Sequence, residues 1–93
     1  MTVRLPDHIS LVSVPGPEDG DRPAAVLLDG RTGEYWQLNG TAHLILRTLL
    51  DGASRTDTAR ALGTAHPEAA ARADSDVRDI ITRLTTVGLL EVS

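Results

Sequence analysis

The chain has 93 residues, 13 acidic against 9 basic side chains for a formal charge of −4, and no cysteine. Without cysteine, disulfides, thiolate catalysis and cysteine-ligated zinc or iron–sulfur centres are excluded. The acidic balance argues against affinity for a phosphate backbone, which rests on clustered Lys and Arg. A single domain over residues 1–93 is expected, burying about 60–65% of the surface its unfolded form exposes. The start, MTVRLPDHIS, lacks the apolar core of a signal peptide, and no apolar run approaches the roughly 18 residues of a membrane span. A soluble, cytoplasmic protein is the expectation.

Taken in order, Pro6 and Pro15 bracket His8 to Val14, where Ile9 and Leu11 alternate with His8 and Ser10 before the pattern blurs. That predicts a strand whose register the pattern leaves open. Residues 15–23, PGPEDGDRP, are too rich in Pro, Gly and charge for regular structure and read as an exposed loop. Ala24 to Asp29 is short and apolar, which suits a strand buried on much of both faces. Asp29-Gly30-Arg31-Thr32-Gly33 then supplies a tight reversal into a second strand, Glu34 to Leu38, which holds the chain's only Tyr and only Trp. Alternation puts Trp36 and Leu38 on one face, expected in the core, and Tyr35 and Gln37 on the other.

Asn39 is a good N-cap, and Ala42, Ile45, Leu46 and Leu49 recur at helical spacing as far as Gly52. Ser54 caps a second, short helix expected to stop at Gly63. His66-Pro67-Glu68 opens a third, with Pro near its first position and an acid in its first turn. It runs through Val77, Ile80, Ile81, Leu84 and Val87 to Gly88, with Asp74–Arg78 and Asp79–Arg83 at ion-pair spacing. Leu89 to Val92 reads as a closing strand or as a cover for the core. The fold class is α+β and winged helix-turn-helix-like, a three-stranded antiparallel N-terminal sheet followed by three helices.

Chemistry is hard to find in this chain. His8, His43 and His66 fall on a strand, a helix and a loop, no pair has metal spacing on one helix face, and there is no HExxH, GxSxG or phosphate loop. No catalytic residue, metal or cofactor is expected, and so short a chain is expected to leave little room for a concave pocket. Helix-turn-helix order makes a DNA-binding regulator the competing reading. Yet Glu68 to Val87 holds four acids (Glu68, Asp74, Asp76, Asp79) and three bases (Arg72, Arg78, Arg83), a balance of −1. Such a recognition helix would repel phosphates about as much as attract them. Strand Glu34 to Leu38 is the last before the helices; as an edge strand, its unpaired backbone would be a template for another strand.

Residues 26 to 42, VLLDGRTGEYWQLNGTA, resemble the PqqD-like family and, more narrowly, the stand-alone recognition proteins of split lasso peptide pathways. The pattern is a leucine-rich strand ending in Asp29, the turn Arg31 to Gly33, Tyr35-Trp36, Leu38-Asn39 and Thr41. It continues at Leu49 to Gly52, Asp76-Val77, Leu84 and Val87 to Leu90, so that only residues 15–23 depart from it. The resemblance implies a non-enzymatic recognition element that binds the leader of a precursor peptide as an extra strand, in a cleft walled by the third helix. It implies peptide-binding residues Glu34, Tyr35, Trp36, Gln37 and Leu38 on the strand, and Ala73, Asp76, Val77, Ile80 and Leu84 on the helix. The opposite helix flank, Asp74, Arg78 and Thr85, stays open. The implied partners are a cysteine-protease leader peptidase and a macrolactam cyclase, with no nucleic acid and no membrane. A chaperone for a radical enzyme is the other branch of the family.

Overall fold

Residues 2–15 and 23–93 are described in this computed structural model. Strand β2 (Ile9–Ser13) pairs antiparallel with β3 (Ala25–Asp29), and β3 with β4 (Tyr35–Leu38), which makes β4 an edge of this three-stranded sheet. The segment 16–22 of the predicted loop lies outside the described residues. The short β1 (Val3–Arg4) pairs with β5 (Glu91–Val92), clamped by an Arg4–Glu91 ion pair at 2.7 Å and by reciprocal Thr2 and Ser93 backbone bonds. The closing strand is thus only two residues long, because Leu89 and Leu90 are buried in the core. Its partner β1 is too short to show any periodicity in sequence.

Strand β3 corrects one expectation. Its buried face carries Ala25, Leu27 and Asp29, whereas Leu28 on the other face is 39% exposed beside exposed Val12 and Tyr35. The apolar run reads as doubly buried, but no layer covers the sheet's outer side among the described residues. The β3–β4 turn is tied by Asp29, whose backbone N–H donates to Glu34 O at 2.9 Å while its Oδ1 accepts from Arg31 N at 2.8 Å. Gly33, at φ 79°, takes the left-handed position that a side chain disfavours.

Helix α1 (Gly40–Leu50) begins where expected, with Asn39 Oδ1 accepting from Ala42 N at 2.8 Å, and buries Ile45, Leu46 and Leu49. Ser54 likewise caps α2 (Arg55–Ala65). That helix runs on past Gly63, which therefore serves contact rather than termination: a Cβ there would lie 3.4 Å from the Ala70 Cβ. The expected long third helix is two pieces, a 3-10 segment (Pro67–Arg72) and then α3 (Ala73–Thr86). Buried Ala69 holds the first piece against the core. The pairs Asp74–Arg78 and Asp79–Arg83 do not close into ion pairs, as is common for exposed charges whose side chains lose entropy on pairing. No helix among the described residues is long and apolar enough to cross a membrane.

Candidate functional site

The ladder decides which groups of β4 are available. Glu34 O accepts from Asp29 N and Leu38 O from Ala24 N, so both point toward β3. Antiparallel pairing alternates, so Trp36 also bonds inward and the backbone groups of Tyr35 and Gln37 point to the open edge. Glu34 N is engaged within the turn by Thr32 Oγ1 at 3.1 Å.

Beside that edge lies a groove of about 610 Å³ between β4, the start of α1, the 3-10 segment and α3. Its volume falls within the usual 300–1,000 Å³ of ligand sites, contrary to the expectation that so short a chain leaves little room. Trp36, Leu38, Ala42 and Ile45 line it from the strand and α1, and Ile80, Leu84, Val87 and Leu89 from α3 and beyond. Charge enters only from the helical side, through Glu68, Arg72, Asp76, Asp79 and Arg83.

Of the residues expected to bind peptide, the groove brings together Trp36, Gln37, Leu38, Asp76, Ile80 and Leu84. Tyr35, 62% exposed, stands on the sheet's outer face, and Glu34 is exposed at the turn. Ala73 and Val77 are buried beneath the groove, where they position α3 rather than line it. Trp36 was expected in the core; it is half-buried, packed on the core and open to the groove. The flank Asp74, Arg78 and Thr85 does not line the groove. Sequence reasoning missed Val87, which shares the helical stripe but is 58% exposed, because α3 ends at Thr86 and Gly88, at φ 80°, turns the chain away. The groove-side Asn39, Thr41, Arg72, Asp79 and Arg83 were missed as well, since only the packing of α1 and α3 against the strand brings them together.

Each of the three histidines lies beside a polar side chain. Arg31 Nη2 lies 2.8 Å from His8 Nε2, Ser13 Oγ 3.4 Å from His43 Nε2, and His66 Nδ1 3.2 Å from Glu68 Oε1. No three metal-ligating side chains cluster among the described residues.

An antiparallel sheet whose β4 edge runs along a groove roofed by the last helix of a winged-helix-like arrangement defines a small strand-edge groove domain. The chain belongs to the PqqD family, described as coenzyme PQQ synthesis protein D, whose model matches residues 24–90. It is similar to a solved lasso peptide synthetase B1 complexed with the leader peptide, at 38% identity over 99% of this chain and 100% of that one, with a TM-score of 0.81. TbiB1 in complex with the TbiA(beta) leader peptide shares the fold, at TM-score 0.75 and 22% identity over 100% of this chain and 98% of that one. No curated protein matches the chain in sequence.

Proposed function

We propose that this protein is a recognition element that binds the leader of a ribosomally made precursor peptide as an added strand on β4, its groove-side residues resting against α3. The observation that carries this reading is the open backbone edge at Tyr35 and Gln37 beside an apolar groove. Each backbone bond to an added strand contributes about 0.5–1.5 kcal/mol net, whatever the peptide's sequence. Selectivity then falls to the few pockets that its alternate side chains enter. Likeness to a B1 protein solved with a leader peptide supports the same occupant.

On this reading the protein performs no chemistry itself. Its bound leader is offered to a cysteine-protease leader peptidase and then to a macrolactam cyclase. Resemblance to the PqqD-like family also implies a second reading, a chaperone for a radical enzyme, and the same groove would serve it. A DNA-binding role is disfavoured by the −1 balance of the last helical stretch and the −4 of the chain.

The test is fluorescence anisotropy with labelled leader peptides of lasso precursors, first among them the leader solved with the similar B1 protein. Saturable binding is expected, and labelled duplex DNA at low salt should not bind with sub-micromolar affinity. A leader Kd weaker than about 1 mM would overturn the proposal.

A further inference from the structure

Four charges follow one another along the α3 side of the groove: Arg72, Asp76, Asp79 and Arg83. Arg72–Asp76 and Asp79–Arg83 stand at the spacing of helical ion pairs, yet neither pair closes, and none of the four makes any ion pair or side-chain hydrogen bond. Asp76 is the half-buried one, a carboxylate on the α3 wall of the groove with no ion-pair or hydrogen-bond partner in the protein, facing the strand wall of Trp36 and Leu38. The facing wall, from Trp36 through Ile45, is uncharged. Arg72, Asp79 and Arg83 are exposed to water, so it is for Asp76 above all that a filled groove needs a partner from the occupant. Asp76 also sits in the first turn of α3, where an acid favours the helix dipole. That accounts for an acid near the helix start and, by the same dipole, for Arg83 in the last turn, but not for Asp79 at mid-helix or for Arg72 at the N-terminal end.

The spacing suits a strand laid along α3. The two aspartates lie about 4.5 Å apart along the axis, and their midpoint lies about 8 Å from each arginine. Side chains on one face of an added strand recur about every 6.8 Å. One groove-facing basic side chain can thus sit between Asp76 and Asp79, while its neighbours on the same face reach toward the arginines. The plus, minus, minus, plus order reads the same from either end, so it holds for either strand direction.

We propose that this wall makes the groove selective for a leader strand bearing a lysine or arginine on its groove face, gripped by Asp76 and Asp79, with acidic or neutral side chains two positions to either side. The inference rests on leader binding in the groove and names the chemistry that the site selects. Net charge alone does not decide it: a leader basic throughout meets Arg72 and Arg83 and is rejected at its ends. Fixed charges of both signs give specificity through repulsion of wrong partners as well as attraction of the right one.

The experiment uses a labelled lasso-precursor leader, starting from the one solved with the similar B1 protein, and a series in which each of its basic residues is changed in turn to glutamate. Asp76→Asn with Asp79→Asn should weaken binding about tenfold and flatten its salt dependence. Asp76→Arg should weaken it further, and one peptide of the series, and only one, should regain affinity against that variant. Circular dichroism and melting confirm that each variant folds. Binding within twofold of the parent in the Asn double variant, or no peptide that rescues Asp76→Arg, overturns the charge assignment. Failure of the parent leader to bind the parent protein would instead overturn leader recognition itself, so the two failures are distinct.

Discussion

Trp36 on β4 and Ile80 on α3 stand on opposite walls of one groove, each half-buried and each packed against the same core. They link stability to recognition, since their inner surfaces fix the strand and the helix while their outer surfaces stay open. A side chain entering between them would bury apolar area at about 25 cal/mol per Å² without rearranging the fold.

Ile80→Asp tests the helix wall. A carboxylate there must give up its water on peptide binding, at a cost of several kcal/mol, and the basic leader side chain nearest to it is already held by Asp76 and Asp79. Leader affinity should fall at least about 100-fold, while the half-exposed site lets the variant fold. Arg55→Asp, on the exposed start of α2 away from the groove, should bind as the parent does. Isothermal titration of both variants with the leader decides it, and tight binding to Ile80→Asp would move the site elsewhere.

Trp36 is the chain's only tryptophan, so its emission reports on the groove alone. Leader binding should shift that emission to the blue as water leaves the ring, and duplex DNA should leave it unchanged. Trp36→Ala should cost both stability and affinity. Truncating a fully buried large aromatic costs about 3–5 kcal/mol, so half-burial suggests about 1–3 kcal/mol here. Unchanged emission at saturating leader would place the peptide away from β4.

The groove shows how much of a site a sequence exposes. Alternation assigned Trp36 and Leu38 to one face and Tyr35 to the other, and helical spacing put Asp76 and Ile80 beside the core stripe; local geometry suffices for both. How deep each residue lies is a tertiary matter. Val77 and Leu84 share a stripe with Val87, yet Val77 is 1% and Val87 58% exposed, because the helix stops and the core below it ends. The same limit hid the exposed outer sheet face, since an apolar strand pattern does not say whether a second layer exists. Gly63 looked like a helix end because close packing and termination both favour a missing side chain.

Asp29 should make the hairpin acid-sensitive. The Arg31 backbone N–H, above all, holds its carboxylate below the ordinary 3.8, against the opposing effect of burial, with help from the Thr32 N–H and the positive charges of His8 and Arg31. A depressed carboxylate contributes stability that is present above its unfolded value and lost as pH falls through its folded one. Asp29→Asn keeps an oxygen to accept from Arg31 but carries no charge. In thermal melts the parent should exceed this variant near neutrality, and the gap should close as pH drops below about 4. A gap that persists in acid would mean that the charge is not what stabilises the turn.

Hydrogen exchange gives the sharpest test of strand addition, because the ladder makes its outcome alternate. Trp36 and Leu38 bond toward β3, so their amides are already protected in the free protein, and Glu34 N is tied to Thr32 Oγ1. Only the amides of Tyr35 and Gln37 face the open edge. Adding leader should slow exchange at those two strongly and change Trp36 and Leu38 little, a period-two footprint that side-chain docking alone would not leave. NMR-detected exchange resolves the four amides individually. Uniform protection along β4 would indicate general stiffening, and no change at Tyr35 and Gln37 with leader bound would mean that the peptide sits in the groove without joining the sheet.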